Sequence, residues 1–332
     1  MQTRLIITGS LVALSAMAFF HILQGKVELA PPQAACLSSI GAQVDIKGGT
    51  YTMGAAGRYP DEGPSVEVRV EDFSIDVHEV TNAQFRRFVE DTGYMTVAER
   101  EPDPAHYPGV PPEMLVPGSV VFVPPTDGSR GFKPLSWWRF VPGANWRHPR
   151  GPGSDIKGKD HLPVVHVAYE DALAYAKWAG RALPTEAQWE YAARGGLNGK
   201  TYSWGDERTP DDKMMANTWQ GIFPVHNSGE DGFRGVAPVG CFSANGYGLY
   251  DMIGNVWEWT ASPYYPSHAP SGKVPDEGYD PRQPGVPVRV IKGGSFLCAP
   301  NYCMRYRPAA RHAQETGLGT DHIGFRTVSA AH

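Results

Sequence analysis

Two cysteines near the C-terminal end of the chain have the type and spacing needed for redox or metal chemistry. Cys298 and Cys303 are two of only four cysteines in the 332 residues. Gly293 and Gly294 allow a close backbone turn just before them, while Pro300 prevents a helix between the thiols. We therefore expect both sulfurs on a loop, where they can meet as a disulfide or as two metal ligands.

Paired thiolates are soft ligands that favour Cu(I), zinc or iron–sulfur clusters. Zinc and cluster sites usually take four protein ligands. The remaining cysteines, Cys36 and Cys241, are too distant in sequence to form a second closely spaced pair. A two-thiolate Cu(I) site is the metal interpretation that remains. A short structural disulfide is the alternative, because exported proteins oxidise neighbouring thiols.

Polar and cationic residues accompany the two thiols. Three arginines follow within eight residues of the second cysteine: Arg305, Arg307 and Arg311. Positive charge lowers the pKa of a thiol and favours the thiolate, which is the form that binds metals or attacks. Ser295 precedes the first cysteine by three residues. Its hydroxyl is expected either to orient a thiolate or a bound oxygen species, or only to form the turn.

Several motifs together resemble the formylglycine-generating enzymes of the sulfatase-modifying factor superfamily. They are the cysteine segment with residues 322–326 behind it, and the segments 48–54, 79–85, 178–196 and 254–259, the last reading GNVWEW. The resemblance covers roughly residues 40 to 328. The cysteine pair is the more specific part of the resemblance, because the wider superfamily includes members without this activity.

The resemblance implies a copper-dependent oxidase. Cu(I) would lie between Cys298 and Cys303, and O2 would oxidise a cysteine in the Cys-x-Pro-x-Arg motif of an unfolded sulfatase polypeptide to Cα-formylglycine. The substrate cysteine would join as a third sulfur ligand. A substrate groove is expected to include Trp257, Tyr306 and Arg307.

Acidic and amide residues between positions 217 and 258 lie in turns that suit the oxygen ligands of calcium, although such residues also cap ordinary turns. The sequence has no EF-hand pattern. The resemblance implies one structural calcium site at Asn217, Thr218, Asp231 and Phe233. It implies a second at Asp251, Gly254, Val256 and Glu258. Four of these would contribute backbone carbonyls: Thr218, Phe233, Gly254 and Val256.

The composition indicates a loop-rich globular protein. The net charge of −5 and the absence of a Lys/Arg-rich run argue against a nucleic-acid surface. Thirty prolines, 38 glycines and nine tryptophans indicate irregular structure held by large aromatic side chains. Without a GxGxxG motif, an α+β fold is expected rather than a doubly wound one. The resemblance implies a single sulfatase-modifying-factor domain over 41–330, related to C-type lectin domains.

Local patterns predict a few short elements. Three helices are expected: from the capping box at 81–84 to a glycine at 93, over 171–179, and from the capping box at 185–188 to a glycine at 195. Strands are expected at 44–47 and 66–70, as a hairpin or paired edge, and at 164–167. The proline-rich stretch 101–159 carries three tryptophans, which predicts an ordered excursion packed on the core.

The N-terminal sequence predicts that the protein is exported from the cytoplasm. Arg4 precedes a mostly apolar run at 5–23, so residues 1–25 are interpreted as a signal peptide or membrane anchor and 26–40 as a linker. We expect an extracytoplasmic domain that contacts the membrane only through this segment; a cytoplasmic enzyme is the alternative. Cys36 is interpreted as a linker thiol and Cys241 has no evident partner, so stability is assigned to the core and calcium rather than to disulfides.

Two other functions compete with the oxidase. One is a non-catalytic, lectin-like binding or envelope-organising module whose cysteine pair is a structural disulfide. The other is an iron-dependent sulfoxide synthase, which would need an additional helical, histidine-bearing domain that this chain has no room for. The spacing of the cysteine pair favours the oxidase.

Overall fold

The structure, a computed structural model, describes residues 36–331 apart from 38–39, 57, 107–108, 110, 112–114, 126–134 and 271–273. The expected signal peptide or anchor at 1–25 and most of the expected linker at 26–40 lie outside the described residues. Among the residues that are described, no helix combines the length and apolar character needed to cross a membrane.

The described residues contain short helices and many short strands. The helices are α1 (Asn82–Thr92), α2 (Tyr169–Trp178) and α3 (Glu186–Arg194). Single 3-10 turns cover Pro60–Glu62, Val97–Glu99, Pro104–His106 and Pro210–Asp212. The strands are β1 (Gln43–Ile46), β2 (Gly49–Met53), β3 (Val66–Val70), β4 (Phe73–Asp76), β5 (Gly118–Phe122), β6 (Trp138–Pro142), β7 (Gly221–Ile222), β8 (His226–Asn227), β9 (Trp257–Pro263), β10 (Val288–Lys292), β11 (Arg311–Glu315), β12 (Ile323–Gly324) and β13 (Val328–Ala330).

Two small sheets organise these strands. One has the order β11-β10-β9-β12, in which only the β12–β9 pair is parallel. The other places β4 between β1 and β13, so strands from both ends of the described chain pair with the same partner. Two-stranded ladders join β2 to β3, β5 to β6 and β7 to β8. The predicted α+β fold with little regular secondary structure is confirmed.

The helix predictions are confirmed by their caps. The Thr81 side chain accepts a hydrogen bond from the Gln84 amide, and α1 ends at Gly93 in the left-handed region. The capping box at Thr185 starts α3, which ends at Gly195 in the same way. The second helix begins two residues earlier than predicted, because the Asp171 carboxylate caps it by accepting the Ala168 amide at 2.8 Å.

Two strand predictions need correction. The segments at 44–47 and 66–70 do not pair with each other, since β1 pairs with β4 and β3 pairs with β2. The segment 164–167 is not a strand. His166 has a φ of 61°, and the amides of Val164 and His166 bond to two separate partners, the carbonyls of Val80 and Thr320. All four residues of this segment are buried, so its apolar character reflects burial without a neighbouring strand.

The main hydrophobic core joins helices, sheet and cysteine loop. Phe85 of α1, Trp259 of β9, Phe325 and Cys298 belong to one buried cluster. The proline-rich excursion packs against the core as predicted: Trp137 and Trp146 are 3% and 1% exposed. Trp138 is only partly buried and stacks on His322, with 4.8 Å between the ring centroids.

The prediction of a fold without disulfides is wrong. Cys36 and Cys241, 205 residues apart, form a disulfide. The pairing was not visible in the sequence because it depends on the tertiary path of the chain. The Gly240 backbone lies so close to Leu37 that a Cβ on Gly240 would fall 2.2 Å from the leucine side chain. The disulfide therefore ties the start of the domain to the loop that precedes Asp251.

A buried ion pair connects the two sheets. Arg326 donates to both oxygens of Glu258, at 2.7 and 2.8 Å, and also to the carbonyls of Asp76 and Tyr250. Trp189 of α3 donates to the same carboxylate at 2.8 Å. Both charged side chains are fully buried. Removing one partner would leave an uncompensated charge away from water, which is strongly destabilising.

We expect Arg326→Met to lower the free energy of unfolding by about 3–5 kcal/mol, because it leaves Glu258 buried without its cation. The matched control is Arg69→Met, since Arg69 pairs with Glu71 at the surface, where both side chains are more than two-thirds exposed. An exposed pair contributes about 0–1 kcal/mol. Urea unfolding of the metal-free, disulfide-intact protein measures both; equal losses for the two variants would contradict this assignment.

Candidate active site

The structure brings the two predicted cysteines together. The Cys298 and Cys303 sulfurs lie 3.1 Å apart and share a hydrogen bond, and both residues are free thiols. Cys298 is 2% exposed, whereas Cys303 is only partly buried. The site is thus a thiol pair in which Cys303 is the less buried residue.

Turns rather than regular secondary structure position the pair. Gly294 has a φ of 76°, and a Cβ at this position would fall 2.9 Å from the Tyr306 Cα, so the backbone approach requires glycine. The Cys298 amide donates to the Ser295 carbonyl at 2.9 Å. The Ser295 hydroxyl oxygen accepts the Leu297 amide at 3.3 Å. Ser295 therefore stabilises the turn into Cys298, and the structure shows no contact of its hydroxyl with either sulfur.

The surroundings of the two thiols shift their pKa values in opposite directions. Burial raises the pKa of the Cys298 thiol well above its usual value, and the neighbouring thiol adds to this effect. The hydrogen bond with Cys298 lowers the pKa of Cys303, and the amide and charge of Arg305 contribute in the same direction. In the metal-free protein, Cys303 is the thiol that ionises first.

The three arginines after the thiols are anchored to acids from distant parts of the chain. Arg305 pairs with Asp61 at 3.0 Å and lies 4.1 Å from the centre of the Tyr59 ring. Arg307 pairs with Glu62. Arg311 donates to both oxygens of Glu186 at 2.7 and 2.9 Å. These contacts fix the loop, and the positive charge near Cys303 is held in place by them.

Aromatic side chains surround the pair at different depths. Trp257 and Tyr306, expected in the substrate groove, are only 3% and 2% exposed, and they lie in the same buried cluster as Cys298. The exposed aromatic is Tyr302, at 49%, which stacks on Phe223 with a centroid separation of 4.4 Å. Any peptide that reaches Cys303 from solvent meets Tyr302, the neighbouring residue, before the buried rings.

The four residues expected at the first calcium site lie around one carboxylate. The oxygens of Asp231 accept the amides of Thr218 at 3.0 Å and Phe233 at 2.9 Å. The Asn217 side chain donates to the Gly235 carbonyl at 2.9 Å. Within the described ranges, no three His, Cys, Asp or Glu side chains form a metal-binding group. A cation here would thus depend largely on carbonyl and amide oxygens.

The second expected calcium site lies beside buried acidic groups that outnumber the neighbouring cation, Arg326. Burial raises the pKa of Asp251 to about 6, and burial with the charge of Asp251 raises the pKa of Glu79 well above its usual value. One oxygen of Glu79 accepts the Asn255 side chain at 3.1 Å, and the other is buried without a hydrogen-bond partner. Glu258 gives both of its oxygens to Arg326.

Glu79, Asp251 and Glu258 all interact electrostatically with Arg326, although no group of three acids among the described residues forms a metal site. The unpartnered Glu79 oxygen and the Asp251 carboxylate fit a divalent cation, which would replace the proton that the raised pKa of Glu79 favours. The pairing of Glu258 with Arg326 leaves carbonyls, Asp251 and Glu79 as the available oxygens.

Both expected calcium segments are hydrogen-bonded to the cysteine loop. The Trp219 amide, next to Thr218, donates to the Cys298 carbonyl at 3.0 Å. The Phe296 amide donates to the Asn255 carbonyl at 2.8 Å, and the Gly254 amide donates to the Gly293 carbonyl at 3.0 Å. A cation that fixes these segments would therefore also fix, through these hydrogen bonds, the backbone that carries Cys298.

Sequence reasoning missed the acids that hold the site. Asp61, Glu62 and Glu186 pair with the loop arginines, and Glu79 supplies the unpartnered oxygen. Glu79 and Glu186 lie in recognised motifs, but nothing local distinguishes them from helix-flanking acids. Asp61 and Glu62 are 244 and 245 residues from their partners, a distance at which sequence spacing carries no signal.

Comparison with known proteins identifies the family. The FGE-sulfatase family model, described as the sulfatase-modifying factor enzyme 1-like domain, matches residues 28–331. The chain belongs to this family. A formylglycine-generating enzyme of Mycobacterium tuberculosis is 53% identical over 86% of this chain and 97% of its own length. One from Thermomonospora curvata is 47% identical over 86% and 92%. The resemblance to the formylglycine-generating enzymes, and with it the prediction of an enzyme of this class, is confirmed.

Other relatives show the limits of family membership. A mouse protein named inactive Cα-formylglycine-generating enzyme 2 is 40% identical over 87% of this chain and 86% of its own length. The solved structure of PvdO from Pseudomonas aeruginosa covers 90% of this chain and 99% of its own, with a TM-score of 0.58 at 22% identity, which supports the fold alone. Since the family includes a relative named inactive, the activity of a member depends on the residues of its site.

The thiol asymmetry predicts the order of alkylation. In metal-free protein without reductant, iodoacetamide should modify Cys303 before Cys298, because Cys303 is more accessible and has the lower pKa. Its rate should rise with pH through a pKa below the usual value for cysteine of about 8.5. Peptide mapping by mass spectrometry identifies each site, and the disulfide-bonded Cys36 and Cys241 serve as unreactive internal controls. Modification of Cys298 first would contradict this description.

Proposed function

We propose that this protein is a copper-dependent oxidase that converts the cysteine of a Cys-x-Pro-x-Arg motif in a sulfatase polypeptide to Cα-formylglycine, with O2 as the oxidant. The observation that carries this proposal is the pair of free thiols, 3.1 Å apart, on a loop fixed by buried ion pairs. Relatives named formylglycine-generating enzymes, at up to 53% identity, support the same reaction.

The thiol pair fits a soft monovalent metal. In the part of the chain that the structure describes, no group of three His, Cys, Asp or Glu side chains forms a metal site. Two sulfur ligands alone suit Cu(I) better than zinc or an iron–sulfur cluster, which usually take four protein ligands. Cys298 and Cys303 would hold the copper, which would supply the one-electron chemistry that couples oxidation of the substrate to reduction of O2.

The protein's own residues prepare the thiols and position the substrate. Arg305 and the hydrogen bond with Cys298 favour the Cys303 thiolate, the form that binds metal. The rings of Trp137 and Phe223 pack against Tyr302, the residue before Cys303, and hold its ring in place. Tyr302 offers an exposed flat surface for an extended peptide next to Cys303.

The alternative of a non-catalytic binding module is less well supported. It required the 298–303 pair to be a structural disulfide, whereas both residues are free and the disulfide lies elsewhere, between Cys36 and Cys241. A purely structural loop would also have no need for an accessible thiol of lowered pKa. The observations therefore favour the enzyme.

Calcium is proposed as a structural cofactor. The segment around Asp231 would form one site, and the segment with Asp251 and the carbonyls of Gly254 and Val256 would form the other. The unpartnered oxygen of Glu79 supports the second. Because both segments donate to or accept from the cysteine loop, bound calcium would order the backbone that carries Cys298.

An extracytoplasmic location is proposed from the apolar run at 5–23 near the N-terminus and from one observation in the structure. The Cys36–Cys241 disulfide is supporting evidence, because disulfides form and persist in oxidising compartments. The sulfatase would then be modified after translocation and before it folds, and any membrane contact would be made through the N-terminal segment.

The function is tested with purified protein loaded with Cu(I) under mild reductant and supplied with O2 and a Cys-x-Pro-x-Arg peptide. Mass spectrometry should detect an aldehyde-containing product. Cys298→Ser and Cys303→Ser should each abolish it, while Cys241→Ser should retain it. A product that persists in both Cys298→Ser and Cys303→Ser would contradict the proposal, as would absence of product from correctly folded, copper-loaded wild type.

Calcium binding predicts a change in thermal stability. At a hundredfold excess over the Kd, a ligand stabilises the folded state by about 2.7 kcal/mol, which corresponds to about 4 °C in the unfolding midpoint of a domain of this size. We expect this rise when calcium replaces EGTA, and its reduction in Asp231→Asn or Glu79→Gln. The exposed Asp211→Asn is the matched control. Identical midpoints with calcium and with EGTA would exclude structural calcium.

A further inference from the structure

A polar cleft lies beside the cysteine loop, and the reaction described above does not account for it. Its volume is about 870 Å³, and four of the residues that line it are cations: Arg58, Arg194, Lys200 and Arg307. No aspartate or glutamate lines it among the described residues. The whole chain carries a net charge of −5, so this local excess of cations runs against the overall charge of the protein.

The four cations are not equally available. Arg194 and Arg307 are nearly buried and are neutralised from behind by Glu190 and Glu62. Lys200 pairs with Asp206 at 2.6 Å, but both side chains are about half exposed, so water weakens that pair. Arg58 is exposed, and its described contact is with a neutral atom, the Met304 sulfur at 2.7 Å.

The cleft is connected to the thiol pair through Met304. This residue follows Cys303, its sulfur accepts from Arg58, and its carbonyl accepts from Arg307 at 2.9 Å. From Cys303 to the Arg58 guanidinium is therefore a step of roughly 10 Å, which an extended chain covers in about three residues. A polypeptide whose cysteine reaches the pair can place a flanking side chain in the cleft.

We propose that this cleft is a substrate subsite that receives a carboxylate side chain of the sulfatase polypeptide, two to four residues on the N-terminal side of the target cysteine, with Arg58 as the pairing residue. The inference rests on the proposed function and adds a preference outside the Cys-x-Pro-x-Arg motif. Guanidinium suits a carboxylate because its planar donors match the two oxygens. Lys200 and Thr52 also line the cleft and add polar groups to its wall.

The test is a scan of substrate peptides with the motif intact. Every flanking residue is glutamine in the reference peptide, and glutamate or lysine replaces one flanking position at a time. At one position or two adjacent positions, glutamate should raise kcat/KM about three- to fivefold over glutamine and lysine should lower it. The preference should weaken in high salt, since exposed charge pairs are screened.

Charge reversal identifies the pairing residue. Arg58→Glu should invert the preference at the same position, so that the lysine peptide becomes the better substrate, and Arg58→Gln should remove it. Each variant is compared with its own rate on the glutamine peptide, and thermal unfolding checks its folding. Arg69→Glu, an exposed arginine that does not line the cleft, should leave the glutamate preference unchanged.

Two results would overturn the inference: a flat glutamate scan in the wild type, or a glutamate preference that survives Arg58→Glu. Neither would affect the proposed function if the glutamine peptide is converted to the aldehyde. Failure of every peptide to react would instead count against the proposed function itself.

Discussion

The loop that carries the two thiols has no helix or strand between β10 and β11, so its position depends on buried ion pairs. Arg305, Arg307 and Arg311 bind acids from the short 3-10 turn at 60–62 and from α3. Because an unpaired buried charge is costly, these contacts hold a chain segment that propensity alone would leave mobile. The sulfurs are thereby kept 3.1 Å apart without being joined.

The same constraint links the thiols to the regions expected to bind calcium. Hydrogen bonds from Trp219 to the Cys298 carbonyl, and from Phe296 to the Asn255 carbonyl, fix the loop from the other side. Burial raises the pKa values of Glu79 and Asp251, and a cation that replaces the proton on Glu79 would stabilise the ionised forms of both acids. In this account, ion pairs and proposed cations stabilise one irregular loop together.

Features set by neighbouring residues, such as helix caps and turns, could be predicted from the sequence. Contacts between residues far apart in the chain could not. The capping boxes at Thr81 and Thr185 gave helices with the expected ends, and the glycine turn and Pro300 correctly placed the thiols on a loop. The Cys36–Cys241 disulfide was missed because its partners are 205 residues apart and meet only through tertiary structure. The pairing of β1 with β4, and the acids opposite the loop arginines, were missed for the same reason.

The central claim is that the thiol pair is a binding site for one soft metal ion. The most direct measurement is a Cu(I) competition titration against a chromophoric chelator under anaerobic, mildly reducing conditions that leave the Cys36–Cys241 disulfide intact. The account predicts one tightly held Cu(I) per chain, lost in both Cys298→Ala and Cys303→Ala but kept in the matched variant Cys241→Ala. Retention of copper without Cys298 and Cys303, or its absence from the wild type, would contradict the account.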